Sequence, residues 1–81
     1  MTILPEQSRA ARALLDWSQS KLSEVAEVAR GTIADFEAGK RVPYDRTLQD
    51  IRRALETAGV IFVQENGEGP GVRLKKARRS K

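Results

Sequence analysis

Cysteine and histidine are both absent from this chain of 81 residues. The absence of cysteine excludes a disulfide framework and a thiolate metal site. The absence of histidine removes the usual general base and the commonest neutral metal ligand. The sequence also contains no glycine-rich phosphate-binding loop. An enzyme is therefore the least expected class of protein. We predict no cofactor and no metal, and no small-molecule ligand is evident from the sequence.

Long apolar segments are absent as well. No run of residues approaches the length that crosses a membrane. The N-terminus lacks the basic and then apolar pattern of a signal peptide. We therefore expect a cytoplasmic protein with no membrane partner. A chain of this length suffices for one small domain with one core.

Positive charge is concentrated at the C-terminus. The net charge is +4, but residues 1–74 hold ten Lys or Arg against eleven Asp or Glu. Residues 75–81 hold five Lys or Arg and no acid. The high isoelectric point therefore does not by itself indicate that the folded domain binds nucleic acid. We expect this basic tail to be disordered, with three roles open: gripping phosphates, contacting an acidic protein surface, or solubilising the chain.

Hydrophobic periodicity predicts a mainly α fold with about four helices. The predicted helices span residues 5–15, 18–26, 29–38 and 46–58. Ser18 and Asp45 are expected to cap the second and fourth helices, and Gly39 and Gly59 to end the third and fourth. A tight turn separates the second helix from the third. This arrangement is typical of a helix-turn-helix, which places a recognition helix in the major groove of DNA.

The period changes after residue 59. Two short β-rich runs, 60–63 and 71–74, flank a polar, glycine-rich stretch, which predicts a β-hairpin. We therefore divide the chain into a DNA-binding domain (1–59), a hairpin extension (60–74) and the basic tail (75–81). Four consecutive apolar residues supply apolar side chains to both faces of the first strand: Val60, Ile61, Phe62 and Val63. We expect one face to pack on the fourth helix and the other to form a dimer; the alternative is that the hairpin packs wholly on its own helices.

A set of residues in the helical region occurs at the spacing of one known family: Arg12, Trp17, Ser18, Gln19, Leu22, Ala26, Val28, Thr32, Ile33, Phe36, Glu37, Gly39 and Pro43. Residues 5–58 thereby resemble the XRE group of helix-turn-helix regulators, whose fold is that of the phage lambda repressor DNA-binding domain. The resemblance implies a lambda-repressor-like helical bundle. It also implies a partly buried ion pair between Arg12 and Glu37, which would join the first and third helices.

Five residues depart from the family pattern. Asp16 and Glu27 stand where the family usually has glycine, at positions that favour positive φ, and Glu27 costs on the order of 1 kcal/mol there. Ser23 replaces a small alanine where two helices touch. Ala29 replaces the usual cap of the recognition helix, and Gly31 lies inside that helix. These departures predict a turn and recognition helix that are less stable than is usual in the family.

Two groups of residues are expected to contact DNA. The candidates for base contacts are Arg30, Gly31, Ala34 and Asp35. Arg30 is the expected main base reader, because arginine bound to guanine is the commonest specific contact. The candidates for phosphate contacts, partly carried over from the family, are Ser18, Gln19, Thr32, Lys40, Arg41 and Tyr44. For Arg30, Gln19, Thr32, Lys40 and Arg41 the ordinary alternative is a solvated surface role. Gly31 is otherwise a tolerated defect of the helix, Tyr44 otherwise packs against the loop, and Asp35 either accepts from cytosine or repels phosphate.

These observations predict a sequence-specific transcriptional regulator that binds operator DNA as a homodimer and represses its own promoter in some cases. The alternative is a protein-interaction module of the antiactivator or antitoxin type, in which DNA binding is weakened. The expected partners are double-stranded DNA and a second copy of the chain. Another regulator and RNA polymerase stay open as further partners.

Overall fold

The structure is a computed structural model that describes residues 3–64 and 67–75. Four helices precede two strands: α1 (Pro5–Leu15), α2 (Gln19–Ala26), α3 (Arg30–Glu37), α4 (Asp45–Thr57), β1 (Val60–Val63) and β2 (Gly71–Leu74). The strands pair antiparallel, with Val60 opposite Leu74 and Val63 opposite Gly71. The predicted mainly α fold with a C-terminal hairpin is confirmed. Residues 76–81, which form most of the predicted basic tail, lie outside the described residues.

The helix ends follow the predicted signals with one correction. Ser18 caps α2, since its Oγ accepts a hydrogen bond of 2.9 Å from the backbone N–H of Lys21. Asp45, however, is the first residue of α4, and Tyr44 is the N-cap. The prediction for Asp45 was wrong by one position because an acid is favoured both at the cap and in the first turn, where it meets the positive end of the helix dipole.

Two residues with left-handed backbone conformation end the first two helices. Asp16 follows α1 with φ of 60°, and Glu27 follows α2 with φ of 59°. Both are positions where the family usually has glycine, and the expected positive φ is confirmed. A side chain with a Cβ is strained in this conformation.

We expect the variant Glu27→Gly to raise the free energy of unfolding by a few tenths to about 1 kcal/mol, because glycine removes the strain at positive φ. Chemical denaturation measures the change. Glu27→Ala is the matched control, since it removes the same carboxylate but keeps the Cβ. A Glu27→Gly variant that unfolds more readily than the Glu27→Ala variant would contradict this prediction.

One hydrophobic core joins the helices to the hairpin. Its buried members come from every helix, from β1 and from the segment before α1: Ile3, Ala11, Leu22, Ala26, Ile33, Phe36, Leu48, Ile51, Ala54, Leu55 and Val60. Ile3 was not predicted to be in the core, because the two apolar residues directly before α1, Ile3 and Leu4, are too few to give a periodic signal. Among the helices of the described residues, none is long and apolar enough to cross a membrane.

Gln7 attaches the hairpin to α1. Its side chain is buried, and its Oε1 accepts a hydrogen bond of 2.9 Å from the backbone N–H of Leu4. Its Nε2 donates to the carbonyl oxygens of Val63 at 3.3 Å and Gly71 at 3.0 Å. The one side-chain amide of Gln7 therefore bonds both the start of α1 and the loop end of the hairpin, where the two strands meet the glycine-rich connection.

The four apolar residues of β1 divide between two faces, because side chains alternate along a strand. Val60 is buried in the core, and Phe62 packs against it, with its ring 5.4 Å from the guanidinium of Arg52. Ile61 is 37% exposed and Val63 is half-buried. Of the predicted dimerisation set, Val60 and Phe62 thus pack on the chain's own core, whereas Ile61 and Val63 lie on the other face of β1. Dimerisation through the hairpin stays a prediction.

Candidate nucleic-acid interface

A turn of three residues separates α2 from α3. Ser23 of α2 makes two hydrogen bonds with Val28 of this turn. The backbone N–H of Val28 donates to the carbonyl of Ser23 at 3.2 Å, and Ser23 Oγ donates to the carbonyl of Val28 at 2.6 Å. The hydroxyl therefore adds a bond that the alanine usual at this position cannot make. Ser23 stabilises the turn, and this offsets part of the strain at Glu27.

The outer side of α3 carries the four candidates for base contacts. Ile33 and Phe36 point into the core. Arg30 and Gly31 are exposed at the first turn, and Ala34 and Asp35 are partly exposed one turn further along the helix. Apart from its chain neighbours and the nearby backbone of α3, a Cβ built on Gly31 would meet no described atom within 4 Å. Packing within the described residues therefore does not require glycine here, and backbone can approach a ligand closely at this position.

Three of the six candidates for phosphate contacts line one groove beside α3. Thr32, Arg41 and Tyr44 surround a cavity of about 350 Å³ together with Val42, Pro43 and Thr47. Tyr44 is 86% exposed. The groove gathers hydroxyl and guanidinium donors, which suit a phosphate. The sequence did not predict that Thr47 lines this groove. The only signal there is a hydroxyl three residues after Tyr44.

Lys40 lies next to this groove in the chain but does not line it. Lys40 is exposed just beyond α3, and its backbone N–H donates to the carbonyl of Asp35 at 2.8 Å. That bond fixes the backbone after the helix and leaves the ammonium free to move in solvent. Lys40 therefore contributes positive charge beside the groove.

The other two candidates for phosphate contacts lie at the start of α2. Ser18 is exposed, and its Oγ already accepts from Lys21, but its hydroxyl hydrogen remains available to a phosphate oxygen. Gln19 is half-buried, and its Nε2 donates to Glu37 Oε1 at 3.1 Å. Gln19 therefore has a structural role that was not predicted, and one hydrogen of its amide remains for a ligand.

The carboxylate of Glu37 connects three helices. It is 2% exposed and forms an ion pair with Arg12, at 2.7 Å between Oε1 and Nη2. It also accepts hydrogen bonds from Ser8 Oγ at 2.6 Å and from Gln19. The guanidinium of Arg9 donates to the backbone carbonyl of Glu37. We refer to Ser8, Arg12, Gln19 and Glu37 as the Glu37 cluster.

The surroundings of Glu37 set its charge state. Burial acts to raise the pKa of this carboxyl, but hydrogen bonds from Arg12, Ser8 and Gln19, together with the charge of Arg12, outweigh burial and lower it. Arg12 also donates from Nη1 to the carbonyl of Trp17 at 3.0 Å. The Glu37 cluster thus holds α3 in a fixed position against α1 and α2.

The arrangement defines a class of protein. A three-residue turn joins two short helices, and the second presents a polar outer face with an arginine at its N-terminal end. This is a DNA-binding domain of the helix-turn-helix class. A family model described as Helix-turn-helix matches residues 9–60. The chain belongs to this family, which comprises DNA-binding regulatory domains of the XRE type and not enzymes. No curated protein sequence matches the chain.

Proposed function

We propose that this protein is a sequence-specific transcriptional regulator that binds operator DNA as a homodimer. The observation that carries the proposal is the outer side of α3, where Arg30 and Gly31 stand exposed at the first turn. This is the part of a recognition helix that reaches base edges in the major groove. One such domain covers only a half-site, and two copies are therefore needed for an operator.

The neighbouring groove supports the proposal. The groove beside α3 would contact backbone phosphates through Thr32, Arg41, Tyr44 and Thr47. Ser18 and Gln19 would contact phosphates from the start of α2. Contacts of this kind fix the register of a protein on the duplex, while base contacts determine sequence preference. Val42, which is 77% exposed in the same groove, would pack against the sugars.

A gel shift with the DNA upstream of the protein's own coding region, run across a salt series, tests the proposed function. Binding that is selective for that DNA and weakens with salt supports an operator-binding regulator, and an autoregulatory one. The absence of selective binding to any promoter fragment would instead favour a protein-interaction module. The natural starting point is the protein's own promoter, because small regulators of this family often act there.

Arg30→Ala should reduce operator affinity by about 1–3 kcal/mol and relax the sequence preference at one base pair of each half-site. The reason is the loss of the bidentate hydrogen bonds that the Arg30 guanidinium would make to guanine. Binding measurements on a set of operators with single base changes provide the readout. Arg53→Ala is the matched control, because this arginine is exposed on α4. Unchanged affinity and preference in a folded Arg30→Ala variant would remove Arg30 from the interface.

A further inference from the structure

Trp17 offers a fixed aromatic surface immediately before α2. Its ring packs against the hydrophobic core. Its backbone N–H donates to the carbonyl of Arg12 at 2.9 Å, and its carbonyl accepts from Arg12 Nη1 at 3.0 Å. Because Arg12 belongs to the Glu37 cluster, the position of Trp17 is tied to the same bonds that hold α3. The ring therefore has a fixed position relative to the recognition helix.

Lys21 places its ammonium against this ring. Lys21 Nζ lies 5.9 Å from the centre of the Trp17 ring, within the range of a cation–π contact. Side chains of a helix lean toward its N-terminus, and the ammonium of this third residue of α2 accordingly lies beside the residue that precedes the helix. Among the described residues, no carboxylate lies within ion-pair distance of Lys21.

The position of this charge matters for the surface at the start of α2. Ser18 and Gln19, the two phosphate contacts proposed there, are both neutral, and Lys21 is the one charged residue in the stretch 17–21. The face of the ring attracts the ammonium without using its three N–H donors. The contact also restricts a side chain that is otherwise very flexible. The ammonium is therefore held in place with its donors available.

We propose that Lys21 is a DNA phosphate contact and that Trp17 is the residue that positions it. The proposal rests on the proposed function, since it assigns a further contact to the same interface. Lys21 would supply the positive charge at the α2 side of the interface, as Arg41 does at the groove side. Trp17 would act through Lys21 and would not itself touch DNA.

The test compares the salt dependence of DNA binding in the wild-type protein and in the Lys21→Gln variant. Loss of one phosphate contact should reduce the slope of log affinity against log salt by about 0.9. Affinity should fall by a similar factor on operator and on unrelated DNA, and selectivity should be unchanged. Lys21→Arg should restore the slope. Arg53→Gln, which removes an exposed charge on α4, should leave the slope unchanged.

The role of Trp17 is tested with Trp17→Phe, which keeps an aromatic ring in the core but weakens the cation–π contact. This variant should lower affinity in the wild-type background and have little further effect in Lys21→Gln. Equal effects in both backgrounds would show that Trp17 acts independently of Lys21, which overturns the positioning role. Circular dichroism confirms that each variant is folded.

The outcomes separate this proposal from the function on which it rests. If the wild-type protein binds its operator selectively and Lys21→Gln keeps both slope and affinity, Lys21 is not a phosphate contact and the proposed function stands. If Lys21→Gln changes the preferred sequence, Lys21 reads bases and the phosphate assignment is wrong. If the wild-type protein shows no selective binding, the proposed function fails and the assignment of Lys21 fails with it.

Discussion

Arg12→Ala is expected to lower the free energy of unfolding by about 3–5 kcal/mol, because it leaves the buried carboxylate of Glu37 without its cationic partner. The remaining donors, Ser8 and Gln19, are neutral. Urea denaturation measures the loss. The matched control is Arg53→Ala, whose ion pair with Asp50 is exposed and should be worth less than about 1 kcal/mol. Equal losses in the two variants would show that the Glu37 cluster does not stabilise the fold.

The same cluster predicts how stability depends on pH. The pKa of Glu37 is lowered in the folded protein, so the folded state binds its proton less tightly than the unfolded chain does. Its stabilising contribution is therefore complete above the unfolded pKa, near 4.5, and is lost as pH falls through the folded pKa. Glu37→Gln should remove this acid-dependent part of the stability. If the free energy of unfolding of Glu37→Gln depends on pH as strongly as that of the wild-type protein, the pH dependence arises from groups other than Glu37.

Ile61→Glu is expected to yield a folded monomer that binds operator DNA at least about 100-fold more weakly than the wild-type protein. The reason is that a dimer that binds two half-sites at once gains at least about this factor in affinity over a monomer that binds one. Ile61 is exposed on the outer face of β1, and a carboxylate there can remain solvated in the monomer. Sedimentation measures the oligomeric state, and a gel shift measures the affinity. Phe62→Glu is less informative, since Phe62 packs against the core.

Val25→Glu serves as the control for Ile61→Glu. Val25 is an apolar residue of similar exposure on α2, outside the hairpin. The same charge there should leave the oligomeric state unchanged. Ile61→Glu and Val63→Glu variants that both sediment as wild-type dimers would exclude the hairpin as the interface and would favour contacts formed elsewhere or only on DNA.

The elements of this fold were predictable because their signals are local. Ser18, Gly39 and Gly59 mark helix ends through their own backbone preferences, and the structure places the ends within one residue of the prediction. The left-handed conformation of Asp16 and Glu27 followed from the family pattern. In each case the decisive interaction lies within a few residues of the chain.

The contacts that position the interface were not predictable in the same way. Gln7 looks like a polar surface residue of a helix, and its burial depends on Val63, which lies 56 residues further along the chain. The bond of Gln19 to Glu37 and the place of Thr47 in the groove likewise depend on how the helices pack. The individual DNA contacts stay predictions, because a free protein does not reveal which exposed donors meet a duplex.

The bonds of α1 have a consequence for the length of DNA that a dimer can recognise. Gln7 holds the hairpin, and the next residue, Ser8, bonds to Glu37 at the end of α3. The proposed dimer surface on the hairpin and the proposed base-contacting surface of α3 are thus hydrogen-bonded to adjacent residues of α1. A dimer built in this way would have little freedom to change the separation of its two recognition helices. One extra base pair between half-sites would move the second half-site by about 3.4 Å along the duplex and by about one tenth of a turn around it, out of register with the second recognition helix.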